Sequence, residues 1–186
     1  MEQPAGNKIT GNPSSHPALS VKWVEDFPDI PLNRNEAYKL RVTSKGVEIE
    51  AITETGVYRA IQTLRQLTEK KGNGIAITGC EITDWPAFRI RGFMQDVGRT
   101  YISTDELKRE IAILARYKIN VFHWHLTENQ AWRLQSKVFP MLNDSVNTTR
   151  QPGKYYTLEE ARELAAFCKQ HQKKYFAYIA SFWICV

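Results

Sequence analysis

The stretch NVFHWHLTENQAWR, Asn120 to Arg133, brings two histidines, two tryptophans and a glutamate close together. If the segment is a strand, His123 and His125 point to one face, because side chains alternate along an extended chain. Such a pair can offer two imidazoles to one metal, as in a His-x-His metallohydrolase. A metal site needs a third and usually a fourth ligand of N, S or O type. Glu128 is near, but His16 and His171 are the only other histidines, and neither sits in a promising setting. Paired strand histidines are more often hydrogen-bonded interior residues, so no metal is expected. Trp124 alternates with the histidines and is expected in the core. Trp132 lies beyond the strand, where stacking against a sugar ring stays open as a role.

Upstream, Arg91 and Asp96 lie on IRGFMQDV, with Asp96 at the C-terminal end of an expected strand. Glu128 and Asn129 fall at the equivalent end of the next strand. In βα barrels those strand ends face the active site. A carboxylate at each neighbouring end makes a polar pocket mouth. A local Asp96–Arg99 ion pair that merely orders the loop is the alternative, and the pattern leaves both readings open.

These residues need elements to position them. STDELKREIAILARYK begins with a capping box, Ser103 with Glu106 three residues on, and Leu107, Ile111, Leu114 and Ala115 line one face of the helix that follows. Thr157 with Glu160 opens another helix, whose inner face is Leu158, Ala161, Leu164, Ala165 and Cys168. Strand, helix, strand, long loop, helix is the start of a βα repeat with a parallel sheet. Two strands and two helices cannot close a barrel, and HQKKYFAYIASFWICV at the end offers material for a third strand. An open sheet of this kind exposes strand edges and an apolar face, so poor solubility or a covering partner is expected.

The first 85 or so residues read differently, as a small α+β layer. Tyr38, Leu40 and Val42 alternate, as do Val47, Ile49 and Ala51, and Ser44-Lys45-Gly46 links them as a hairpin. Val57, Ile61, Leu64 and Leu67 follow at helical spacing, with Lys70 and Lys71 suited to the helix C-terminus and Gly72 or Gly74 to its stop. A short strand is expected over Ile75 to Ile77. The first twenty residues, rich in Gly, Pro, Asn and Ser, read as a mobile lead-in.

Composition narrows the classes. The 25 basic and 20 acidic residues are spread along the chain, and no basic block exceeds Lys70-Lys71 or Lys173-Lys174, which argues against a nucleic-acid partner. Cys80, Cys168 and Cys185 have no metal-ligand spacing, and a disulfide framework is not expected. The N-terminus has no apolar core of the signal-peptide kind, and no apolar run approaches a membrane span.

The segment DWPAFRIRGFMQDVGRTYISTDELKREIAILARYKINVFHWHLTENQAWR resembles the start of the catalytic barrel of β-N-acetylhexosaminidases, glycoside hydrolase family 20. The pattern runs D-x-P-x-F-x-x-R-G-x-x-x-D-x-x-R, then a helix, then K-x-N-x-x-H-W-H-L-x-[DE]-[DN]-Q-x-W. NEAYKLRVTSKGVEIEAITETGVYRAIQTLRQL is similar to the small α+β domain that precedes that barrel. The likeness covers about Ala18 to His171. It implies an α/β chain: an α+β domain over 1–85, then over 86–186 the first βα units of an incomplete (β/α)8 barrel of the TIM type.

The resemblance also implies chemistry. The family removes terminal N-acetylglucosamine or N-acetylgalactosamine from glycans with retention, using the substrate's own acetamido oxygen as nucleophile, an exception to the two-carboxylate scheme. An adjacent Asp-Glu pair serves it: Asp orients the acetamido group and Glu is general acid, then base. Neither metal nor organic cofactor is implied. By motif position, Arg91 would bind the sugar's outer hydroxyls, and Glu128 would help organise the pocket. Asp96, His125 and Trp132 would be supporting residues.

Two departures stand out. From about residue 172 the tail KKYFAYIASFWICV does not follow the family's third-strand pattern, VIPEIDMPGH, and resembles out-of-frame translation after Lys173-Lys174. The Asp-Glu pair belongs to a fourth strand expected beyond Val186, so no catalytic residue is expected in this chain. A non-catalytic glycan- or protein-binding remnant is the alternative function. Full-length members are expected in the periplasm, outside the cell or in the lysosome.

Overall fold

The computed structural model describes Lys8–Ile9, residues 18–171 and Lys174–Tyr178. His16, Cys185 and the end of the tail, 179–186, lie outside the described residues. The chain divides into two compact units, Met1–Arg89 and Ile90–Val186.

In the first unit, β1 (Lys8–Ile9) and β2 (Ala18–Trp23) precede the hairpin of β3 (Tyr38–Thr43) and β4 (Gly46–Ala51). Helix α1 (Glu54–Gln66) follows, then β5 (Thr68–Lys71), β6 (Gly74–Thr78) and β7 (Cys80–Asp84). The main sheet has the order β2-β4-β3-β7. The alternation read from the sequence is obeyed: Tyr38, Leu40, Val42, Val47, Ile49 and Ala51 are all buried in one cluster. Val57, Ile61, Leu64 and Leu67 of the helix side pack against that cluster, and Ala60 lies within it. Buried Arg59 is neutralised by Glu36, with Nε 2.9 Å from Oε2.

Three expectations are corrected here. Helix α1 stops at Gln66, and Lys70 and Lys71 lie in β5, which pairs antiparallel with β6. Gly72, at φ 58°, opens the two-residue turn between them, a backbone region that glycine enters without penalty. Of the expected lead-in, 18–20 open a strand, Ala18–Trp23, that runs parallel to β4, Lys8–Ile9 pairs with Ile77–Thr78, and the rest lies outside the described residues. TEKK has no apolar alternation, and β2 finds its partner only across the sheet, so neither strand was visible locally.

The close seat of α1 gives a test. A Cβ on Gly56 would lie 2.5 Å from the Ala37 carbonyl oxygen and 3.1 Å from the Ala51 Cβ. Alanine gains roughly 1 kcal/mol of helix propensity over glycine, but overpacking costs about 1–3 kcal/mol. Gly56→Ala is therefore expected to lower the denaturant midpoint of this unit; a raised midpoint would show that the helix can move away.

The second unit alternates strands and helices. β8 (Gly92–Asp96) leads to α2 (Thr104–Arg116), then β9 (Val121–His125). A two-rung hairpin, β10 (Thr127–Glu128) and β11 (Ala131–Trp132), is followed by a long loop with two short 3-10 turns. α3 (Leu158–Gln170) and β12 (Lys174–Tyr178) complete it. Both capping boxes form as expected, at Ser103/Glu106 and Thr157/Glu160. The sheet order is β12-β9-β8, with every pair parallel. The tail residues 174–178 thus supply a third described strand, and the repeat is βαβαβ without closure of a barrel among the described residues.

Phe122, Trp124 and Leu126 share a core with Leu107 and Ile111 of α2 and Leu164 and Cys168 of α3. Trp124 is fully buried and meets Tyr156 edge-on, 4.5 Å between ring centroids. The β8 side stays open: Phe93, Met94 and Ile113 are exposed. No helix among the described residues is long and apolar enough to cross a membrane.

Candidate functional site

β8 and β9 pair in register, Met94 opposite His123 and Asp96 opposite His125. Alternation puts these four side chains on one face, while Phe122 and Trp124 take the other and meet the helices. The strand ends then converge. β10 and β11 form a hairpin at the end of β9, and Glu128 comes to rest with Oε1 3.1 Å from His125 Nε2.

Arg99 closes the group. Its Nε lies 3.2 Å from Asp96 Oδ2 and its Nη2 3.4 Å from Glu128 Oε1. Its backbone N–H also donates to Asp96 Oδ1 at 3.1 Å. The local Asp96–Arg99 pair is present, and the same guanidinium reaches Glu128, so it bridges carboxylates from two neighbouring strand ends.

The electrostatics follow. Hydrogen bonding by His125 holds the Glu128 carboxyl below the usual carboxylate range, with the Arg99 charge adding to it. Burial pushes the His123 imidazole down, so it is neutral at physiological pH. Asp96, His125 and Glu128 present ligand atoms within 4.8 Å of one another, which would suit a cation. The cation already there is Arg99, and a metal would have to displace it from two carboxylates. The geometry therefore favours an ion-paired cluster over a His-x-His metal centre.

A pH dependence follows from the lowered Glu128. A carboxyl whose folded pKa lies below its unfolded value adds stability above that unfolded value and loses it as pH falls through the folded one. The wild-type chain should therefore be more stable than Glu128→Gln near about pH 7, and the gap should close towards about pH 3. Urea melts of both chains across that range check it; a gap that persists in acid would mean that Glu128 is not ionised in the fold.

The remaining expected residues divide. Trp132 sits on β11 within the same hairpin as Glu128, half-buried, with Nε1 enclosed and without a hydrogen-bond partner among the described residues. Arg91 is not brought to the group. It precedes β8 at the opposite end from Asp96, and its Nε donates to the Lys118 carbonyl at 2.9 Å. Its backbone N–H donates to Asn120 Oδ1, so the residue ties the start of β8 to the turn before β9.

Two residues were missed in the sequence. Gly98 lies so close to β10 that a Cβ there would be 2.9 Å from both the Glu128 Cβ and its backbone nitrogen. Arg133 is fully buried behind the same hairpin. A GR pair after a strand-end Asp, and an Arg closing an aromatic stretch, were the only local signals.

Comparison with known proteins decides the lineage. The description "Glycosyl hydrolase family 20, catalytic domain" matches residues 88–174, and "Glycosyl hydrolase family 20, domain 2" matches residues 4–85. The chain belongs to glycosyl hydrolase family 20. This family 20 chain is 39% identical to a beta-hexosaminidase of Porphyromonas gingivalis, over 89% of the chain and 21% of that relative. It is 36% identical to a beta-hexosaminidase of Vibrio furnissii, over 72% of the chain and 24% of the relative. The chain thus spans about a fifth to a quarter of the length of these relatives.

Solved structures agree on the fold. The beta-N-acetylhexosaminidase of Bacteroides fragilis superposes with a TM-score of 0.76 at 32% identity, over 87% of this chain and 33% of that one. An exo beta-N-acetylglucosaminidase of Vibrio harveyi, in complex with N-acetylglucosamine, gives 0.72 at 33%, over 84% and 26%.

Proposed function

We propose that the chain forms the N-terminal domain and the first strands of the sugar pocket of a β-N-acetylhexosaminidase. The observation that carries this is the Asp96–Arg99–Glu128–His125 group, held at the C-terminal ends of two neighbouring parallel strands. The whole protein would release terminal N-acetylglucosamine or N-acetylgalactosamine from glycans by retaining, substrate-assisted hydrolysis, outside the cytoplasm. Glu128 presents its oxygens to the sugar, His125 and Arg99 fix their direction, and Asp96 holds Arg99. Arg91 would join through guanidinium N–H groups other than the Nε–H that the Lys118 carbonyl accepts.

The family's chemistry needs an adjacent Asp-Glu pair whose Glu can donate a proton. The 186 residues hold one such dipeptide, Asp105-Glu106. Glu106 is the capping-box residue of α2, and its hydrogen bonds from Ser103 push the carboxyl down. A general acid needs the opposite shift, so this pair is structural. The polypeptide of 186 residues is therefore expected to show no turnover of a chromogenic N-acetylglucosaminide. Turnover well above the uncatalysed rate that Glu106→Gln abolishes would overturn the assignment of Glu106 and place the acid within this chain.

A further inference from the structure

Arg133 is a cation with no exposed surface, and its partners are all backbone. Its Nε donates to the Val97 carbonyl at 3.1 Å. Its Nη1 donates to the carbonyls of Gln151 at 3.2 Å and Lys154 at 2.7 Å, and its Nη2 to that of Arg150 at 2.7 Å. Burial pushes its pKa down. A buried cation is tolerated only when its donors are satisfied, and here four carbonyl oxygens from two separate segments take four of its five N–H groups. Only a planar fork of five N–H groups reaches both segments at once.

One of those carbonyls leads to the site. The Val97 carbonyl and the Gly98 N–H belong to the same peptide unit. Arg133 holds the oxygen end, and the His125 carbonyl accepts from the nitrogen end at 3.3 Å. Gly98 packs so closely that a Cβ added to it would stand 2.9 Å from the Glu128 Cβ and backbone nitrogen. On its other side, Asp96 and Arg99 bracket the same stretch.

We propose that Arg133 is a positioning residue for the sugar pocket: by fixing the Val97–Gly98 peptide, it sets where Glu128 stands relative to His125 and Arg99. It touches no substrate and acts through that peptide. The proposal takes Glu128 as the pocket carboxylate and so rests on the function above, but its readout needs neither sugar nor turnover.

The test is a carbon-13 NMR titration of the Glu128 carboxyl in the full chain. Wild type should titrate below the usual carboxylate range. In Arg133→Ala the titration should move back up, and methylguanidinium at millimolar levels should lower it again by refilling the fork's place. Leu164→Ala, which truncates a residue of the same core that makes none of the hydrogen bonds to the Val97–Gly98 peptide, should leave it unmoved. If Arg133→Ala does not fold alone, folding that returns with methylguanidinium and restores the lowered titration supports the proposal. A folded Arg133→Ala with an unmoved Glu128, an equal movement in Leu164→Ala, or no response to methylguanidinium overturns it.

Discussion

Gly98→Ala is expected to unseat Glu128 and dissolve the ionic group while leaving the β8–β9 pairing intact. The added carbon would stand 2.9 Å from the Glu128 nitrogen, 2.9 Å from its Cβ and 3.0 Å from the Thr127 carbonyl carbon. Backbone cannot yield as a flexible side chain would, and both neighbours are pinned. Val97 and Gly98 each donate to the His125 carbonyl, while Leu126 accepts from the Arg133 N–H. The hairpin must therefore swing outward, carrying Glu128 away from His125 and Arg99. Overpacking of this kind costs about 1–3 kcal/mol, or roughly 2–4 °C of melting temperature per kcal/mol for a chain of this length. The sharper readout is the Glu128 carboxyl, whose titration should return towards its ordinary range. A lowered melting point with an unmoved Glu128 would mean that the loop relaxed elsewhere.

Trp124→Ala should have the largest effect on stability. Trp124 is fully buried and stands between the two site histidines in sequence while pointing away from them. It fills the space between β9 and the helices, with Tyr156 edge-on against it. Truncating a buried tryptophan costs about 3–5 kcal/mol, a large part of the roughly 5–15 kcal/mol that holds a typical domain together. The second unit is expected to lose cooperative folding, and with it the alignment of Asp96 with His125. The first unit has its own core around Tyr38, Leu40 and Ile49, so amide signals from β3 and β4 should persist. Loss of both sets together would show that the units fold as one.

These effects mark what the sequence could and could not reveal. Contacts a few residues apart were legible. Both capping boxes, the β3–β4 alternation and the opposed faces of His123/His125 and Trp124 depend on short spacings with strict periods. The strand-end carboxylates were legible too, because a parallel βα repeat fixes which end faces a site. What escaped depends on long-range partners. β2 and β5 become strands only because β4 and β6 lie beside them. Gly98 reads as an ordinary loop glycine until β10 folds back on it. Arg133 reads as the end of a motif until residues 150–154 close around it. Arg91 was singled out by motif position alone, and in the structure its Nε donates to the Lys118 carbonyl at the start of β8.

The strand ends of β8 and β9 are proposed to present a sugar-facing surface. Amide chemical shifts recorded while N-acetylglucosamine is added to the full chain test it most directly. The predicted result is saturable movement at Asp96, Gly98, Arg99, Glu128 and Trp132 at millimolar sugar, abolished in Glu128→Gln. Shifts confined to the first unit, or no saturable shift at these five residues, would contradict it.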